Sequence, residues 1–282
     1  MACGMSPTDL DALLLAALKE DAPFGDLTTG LLGFADLRAA AVFLAKERLV
    51  VCGLPAAVRV FELADARCEA SALLPEGQAA NAGDILGRIE GPLEAVLLAE
   101  RTALNLLQRL SGIATLTRDA VEEIRGTAAR LLDTRKTTPG LRLLEKYAVR
   151  TGGATNHRTG LSDGILIKDN HIAGAGSIAE AVRRARSAAG ALWRVEVEAK
   201  SLEEFRDAVG AGAEVILLDN MDPETMAQAV RERPPGVLLE ASGGLKPGGL
   251  RRVAETGVDY LSVGALTHSA RAVDISLEIE PA

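Results

Sequence analysis

Val195-Glu196-Val197-Glu198 opens a rhythm that continues through Val215-Ile216-Leu217-Leu218-Asp219, Val237-Leu238-Leu239-Glu240 and Leu261-Ser262-Val263-Gly264. Each run is short and aliphatic and gives way to polar or small residues. The end-points Glu198, Asp219, Ser242 and Gly264 lie 21 to 23 residues apart. Amphipathic stretches fill the gaps, from Leu202 to Ala211, Pro223 to Arg233 and Gly249 to Thr256. Strand-length apolar runs alternating with helical patterns predict successive βα units, and hence an α/β fold with a parallel α/β barrel. Leu131-Leu132-Asp133 and Ile165-Leu166-Ile167-Lys168 extend the series backwards. Fewer than eight runs are visible, which predicts an incomplete barrel. Chemistry in such barrels collects at the C-terminal strand ends, where these polar residues fall.

The preceding residues have another texture. Ser6-Pro7-Thr8-Asp9 reads as a capped helix start, continued by Leu10, Leu13, Leu14 and Leu18 at helical spacing. Ala39 to Leu44 and Arg48 to Cys52 read as strands, and the Gly-dotted stretch from Leu73 to Gly91 as short antiparallel strands with tight turns. A long helical pattern follows Pro92. The first hundred or so residues thus predict a small α+β unit, with Met1 to Gly4 a dispensable extension and Met5 an alternative start.

A chain of 282 residues with 48% hydrophobic content buries a core without disulfides, and only 3% aromatics make that core aliphatic. A net charge of −8 argues against nucleic acid or an anionic membrane as partner. Cys3, Cys52 and Cys68 are odd in number and lack metal-type spacing, as expected of reduced thiols in the cytoplasm. No apolar run approaches about 18 residues, and the N-terminus lacks a signal-peptide pattern.

Against this acidic background, Arg135 to Lys168 holds seven Lys/Arg and two acids. Arg142, Lys146 and Arg150 recur at four-residue steps and read as a solvated helix face. Arg135, Lys136 and Lys168 directly follow strand-like runs. Burying unpaired cations is costly, so an anionic ligand is the expected partner. Glu198 and Asp219 end strands one βα unit apart and suggest Mg²⁺ carried on a diphosphate, the competing reading being salt bridges to Lys136 and Lys168. Alternation puts Glu196 on the Glu198 face, deeper in the barrel. Ser242-Gly243-Gly244 and Gly264-Ala265 stand where the last barrel loops bind phosphate. His157, between Asn156 and Arg158, is the expected substrate contact. The spacing of His157, His171 and His268 matches no zinc pattern, and the last two are open between structural and functional roles.

Asp133-Thr134-Arg135-Lys136-Thr137-Thr138-Pro139-Gly140, Asn156-His157-Arg158, Leu166-Ile167-Lys168-Asp169-Asn170-His171, Leu218-Asp219-Asn220-Met221 and Ser242-Gly243-Gly244, with Glu100-Arg101-Thr102 upstream, together resemble quinolinate phosphoribosyltransferases over nearly the whole chain. The resemblance implies an N-terminal α/β sandwich over residues 1–108, joined by a tail at 267–282, and an open seven-stranded α/β barrel over 109–266. It implies a Mg²⁺-dependent homodimer that converts quinolinate and 5-phosphoribosyl 1-diphosphate to nicotinate mononucleotide, diphosphate and CO₂. Arg135, His157, Arg158 and Lys168 match the positions holding quinolinate, with Lys136 between both substrates. Glu198 and Asp219 match the metal and ribose side, Ser242 to Gly244 and Gly264-Ala265 the phosphate loops, and Arg101 the arginine lent by the neighbouring subunit. One departure is Gly152-Gly153-Ala154, where the family usually has three glycines. A related branch associated with molybdate transport lacks parts of these strings. Two other classes remain as alternatives: a phosphate-binding barrel isomerase or synthase, and a non-catalytic anion-binding protein.

Overall fold

The computed structural model describes residues 6–34 and 36–280. Cys3 and the expected extension from Met1 to Gly4, with the alternative start at Met5, lie outside the described residues. In chain order the elements are α1 (Pro7–Asp21), α2 (Leu27–Leu32), β1 (Arg38–Ala45), β2 (Leu49–Val50), α3 (Leu54–Ala64), β3 (Glu69–Ala72), β4 (Ala79–Ala80), β5 (Ile85–Pro92) and α4 (Leu93–Glu123). There follow β6 (Arg130–Leu132), α5 (Arg142–Gly152), β7 (Ile165–Ile167), α6 (Asp169–Ala175), α7 (Ile178–Ala188), β8 (Val195–Ala199) and α8 (Leu202–Gly210). The chain ends through β9 (Val215–Asp219), α9 (Pro223–Glu232), β10 (Leu238–Ser242), α10 (Leu250–Ala254), β11 (Tyr260–Ser262), α11 (Ala265–His268) and β12 (Ile275–Glu280). No described helix is long and apolar enough to cross a membrane.

Two compact units emerge: Met1–Arg118 with Thr138–Gly153 and Ala270–Ala282, and Asp119–Thr137 with Ala154–Ser269. The division expected after residue 108 falls inside α4, which runs unbroken to Glu123. The tail strand β12 groups with the first unit.

In the first unit Ser6 accepts from the Asp9 N–H and so caps α1, with Pro7 in the first turn. The sheet runs β12-β1-β5-β3, and its pairs are antiparallel. Phe43 on β1 meets Phe61 on α3 edge to face, centroids 5.9 Å apart, in the largely aliphatic core. Cys52 and Cys68 are free and buried. On α5 the reading of a solvated cationic face needs correction: Lys146 is 1% exposed. Leu144 through Val149 are all buried, so the middle of the helix is enclosed on every side. Arg142 is half-buried, while Arg150 is exposed and stands over the Tyr147 ring. Glu145, with no exposure, accepts from Arg109 and from the Thr138 N–H and hydroxyl.

The second unit is a parallel sheet in the order β6-β11-β10-β9-β8-β7, flanked by helices. Six strands are described where seven were expected. At the seventh position a single parallel bridge joins Thr155 to Leu132, too short to register as a strand. The barrel is therefore open on that side. Asp219 closes β9 directly opposite Ser242 at the end of β10, while Glu198 on β8 pairs with Leu217, two residues before that end. Ala154 has no left-handed backbone, whereas Gly153 before it has φ +106°. The methyl that departs from the glycine pattern thus causes no backbone strain.

Candidate active site

Strand ends of the second unit surround a cavity of about 670 Å³, a size suited to a small organic ligand. Arg135, Lys136, His157, Arg158, Lys168, Asp219, Ser242, Gly243, Gly244, Gly264 and Ala265 all line it. Glu198 is not among the lining residues. Its Oε2 lies 3.3 Å from Lys168 Nζ and its Oε1 3.9 Å from Lys200 Nζ, as in the salt-bridge reading. Arg101 belongs to the first unit, where it is exposed on α4.

The cationic wall is built from backbone outward. Asp133, fully buried after β6, accepts from Asn156 Nδ2 at 2.5 Å and from the His157 N–H at 2.9 Å, which pins the loop carrying His157 and Arg158. Arg158 Nη1 donates to the Gly164 carbonyl. Burial pushes the Arg158 guanidinium below its usual range, and the neighbouring Arg135 charge adds to the shift. Arg135 Nε is buried with no hydrogen-bond partner among the described residues. Two guanidiniums held together and partly dry are stabilised by an anion. His171 Nδ1 accepts from the Lys168 N–H and so secures the start of α6.

Opposite lies the small-residue wall. Gly243 and Gly244 both have left-handed backbones, φ +91° and +64°. A Cβ on Gly243 would stand 2.4 Å from Asn220 Cγ, so only glycine fits. Asn220, the one described non-glycine residue at positive φ, donates its N–H to the Ser242 carbonyl and ties the two loops together. Its side chain donates to Asp219 Oδ2 at 2.9 Å. Gly264 leaves room for Lys136 and His268: a Cβ there would lie 3.0 Å from Lys136 Cδ and 3.2 Å from His268 Nε2. Thr267 donates its hydroxyl to the Lys136 carbonyl. His268 and Lys246 also line the cavity.

Beneath the cations is a feature the sequence reading caught only in part. His157 Nε2 lies 3.4 Å from Glu196 Oε2 and 3.5 Å from Glu240 Oε2, while Nδ1 accepts from the Arg158 N–H. Glu196 and Glu240 are 8% and 2% exposed, and Oε1 of each has no hydrogen-bond partner among the described residues. Burial, and then the adjacent Glu196 charge, pushes the Glu240 carboxyl up to about 8. In the sequence only the end-point of its run, Ser242, stands out, and Glu240 carries no signal of its own. The alternation that puts Glu196 behind Glu198 equally puts Glu240 behind Ser242.

This combination of a guanidinium pair, two lysines and two glycine-cut loops accompanies extensive similarity to known proteins. Residues 26–111 match the quinolinate phosphoribosyl transferase N-terminal domain, and residues 113–278 match the C-terminal domain. The chain belongs to the quinolinate phosphoribosyltransferase family. It is 44% identical over 275 residues to the probable nicotinate-nucleotide pyrophosphorylase [carboxylating] of Bacillus subtilis, covering 98% of this chain and 95% of that one. The Rattus norvegicus enzyme of that name is 41% identical over 283 residues, covering 98% and 92%. Among solved structures, the Francisella tularensis nicotinate-nucleotide pyrophosphorylase has a TM-score of 0.91 at 38% identity, covering 98% of each chain. NadC from Streptococcus pyogenes reaches 0.92 at 40% identity, covering 98% and 99%.

Proposed function

We propose that this family member transfers the phosphoribosyl group of 5-phosphoribosyl 1-diphosphate to quinolinate with loss of CO₂, yielding nicotinate mononucleotide and diphosphate in the cytoplasm. The observation that carries the reading is the convergence of Arg135, Lys136, Arg158 and Lys168 on one cavity whose opposite wall is glycine-cut backbone. A pyridine dicarboxylate needs two cationic anchors, and a phosphorylated sugar needs close backbone approach.

Breaking the ribose C1–diphosphate bond leaves an oxocarbenium-like centre, so positioning and charge neutralisation carry the catalysis. Arg135, Arg158 and Lys168 hold the dicarboxylate with its ring nitrogen facing C1, and His157, expected as a substrate contact, instead spends both ring nitrogens on the Arg158 N–H and the Glu196–Glu240 pair. Lys136 neutralises the departing diphosphate, and Asp219 faces the ribose. Once alkylated, the ring nitrogen accepts the electrons released when the adjacent carboxylate leaves. The isomerase alternative leaves such a concentration of cations without a purpose.

Mg²⁺ fits the carboxylates at hand: Asp219 offers hard oxygen ligands on the cavity wall, and Glu198 stands behind Lys168. Held there, it would supply charge neutralisation to the diphosphate. The working form in this reading is a homodimer in which the partner subunit lends Arg101. Arg101→Ala and Lys136→Ala proteins, each strongly impaired alone, then recover partial activity on mixing; no recovery overturns the shared site.

The decisive assay supplies quinolinate, phosphoribosyl diphosphate and Mg²⁺ and follows ¹⁴CO₂ from carboxyl-labelled quinolinate. Release of label with formation of the mononucleotide is expected. No labelled CO₂ from quinolinate, with nicotinate consumed in its place when that is supplied instead, overturns the reading.

A further inference from the structure

Replacing a ring carboxylate by hydrogen requires a proton. When the bond between the ring carbon and the carboxylate breaks, CO₂ leaves and the electron pair stays on the carbon next to the alkylated nitrogen. That pair must capture a proton before product is released. The cationic wall is the poorer source, since protonated lysine and arginine are weaker acids than a carboxylic acid and lose their hold on the anionic substrate when they give up a proton.

The floor of the cavity holds a better donor. Glu196 and Glu240 are both more than nine-tenths buried and belong to the separate strands β8 and β10. Their carboxylate oxygens and His157 Nε2 all lie within 4.8 Å of one another. Two carboxylates so close and so dry do not both ionise, and one proton stays with the pair. Glu240 is the more enclosed of the two, and it lines the cavity. His157 cannot be the store, because its Nδ1 accepts the Arg158 N–H and its remaining nitrogen faces the two carboxylates.

We propose that Glu240 is a catalytic acid which delivers its carboxyl proton to the ring carbon vacated by CO₂. The O–H bond of Glu240 breaks and the C–H bond of the product forms. Glu240 is left as a carboxylate, which Nε2–H of His157 stabilises until solvent returns a proton. Besides Glu196 and His157, Glu240 faces the Ser262 hydroxyl, and the Arg158 guanidinium bears on Glu196. The raised affinity of Glu240 for its proton accords with this role and leaves it far more acidic than the carbon it serves. Glu196 keeps the proton on its neighbour and is a positioning residue.

The inference rests on the decarboxylating transfer proposed above, and one experiment separates the two. Parent and Glu240→Gln proteins are assayed with quinolinate, phosphoribosyl diphosphate and Mg²⁺ in an equimolar mixture of H₂O and D₂O. CO₂ release gives kcat and KM, and mass spectrometry gives the H:D ratio on the new C–H position. A parent that releases no CO₂ overturns the function and the inference together. With an active parent, Glu240→Gln is expected to lose about 10²- to 10⁴-fold in kcat, with the quinolinate KM within about threefold and a changed H:D ratio. A kcat within about threefold of the parent, an unchanged H:D ratio, or a loss confined to KM overturns the inference alone. If Glu240→Gln is recovered unfolded, Glu240→Asp keeps the acid at shorter reach. It should lower kcat while retaining the parental H:D ratio, and a parental kcat or a shifted ratio overturns the role.

Discussion

Two buried charged clusters, one in each unit, differ in how their polar atoms are met. In the first unit Glu145 is fully enclosed and both its oxygens are occupied, by Arg109 and by the Thr138 backbone and hydroxyl. Arg109 also donates to the Ala270 carbonyl. In the second unit Arg135 Nε, Glu196 Oε1 and Glu240 Oε1 are buried with no partner among the described residues. A charge whose bonds are all made within the chain belongs to stability. One left short marks a place where a ligand or a mobile proton completes the set.

The largest test of this contrast is Glu145→Ala, which strands a partly buried guanidinium. It should lower the unfolding free energy by about 3–5 kcal/mol in urea titrations, while correctly folded protein keeps its substrate affinities. A change below about 1 kcal/mol would remove Glu145 from the stability side. Lys136→Ala should do the reverse, with kcat falling about 10²- to 10³-fold and the urea midpoint unmoved. Near-normal turnover would sink the role assigned to Lys136. Gly243→Ala forces a side chain onto a left-handed backbone against Asn220, a strain of about 1–3 kcal/mol. Its signature should be weaker binding of phosphoribosyl diphosphate by calorimetry with quinolinate binding retained; equal loss of both would move the loop off the phosphate side.

A separate test concerns pH. Folded Glu240 keeps its proton up to about 8, whereas the unfolded carboxyl loses it near 4.5. The group's contribution to stability is therefore fully present below about pH 4.5 and lost as pH rises toward 8. Glu240→Gln should flatten the decline in unfolding free energy between pH 5 and 8. An identical slope in parent and variant would show that the buried pair holds no proton.

Legibility varied with how local the deciding interaction was. The βα rhythm, the capped first helix and the strand-end cations Arg135, Lys136 and Lys168 were readable because each depends on neighbours in sequence. The burial of Lys146 is not legible in sequence, because a four-residue step reports which residues share a face, and what covers that face comes from elsewhere in the chain. The seventh strand shrank to one bridge at Thr155 for a related reason, since pairing depends on a partner's geometry as well as on local propensity.

From the chain alone came the family, through ordered strings such as Asp133-Thr134-Arg135-Lys136 and Asn156-His157-Arg158, together with the barrel, whose period follows from the fixed length of a βα unit. Tertiary structure alone decided which charges are satisfied. Glu198 turned out to be engaged by Lys168 and Lys200, and His157 to stand over Glu196 and Glu240. Composition counts charges, but desolvation and pairing act through space, as between His157 and Glu240, which are 83 residues apart in sequence.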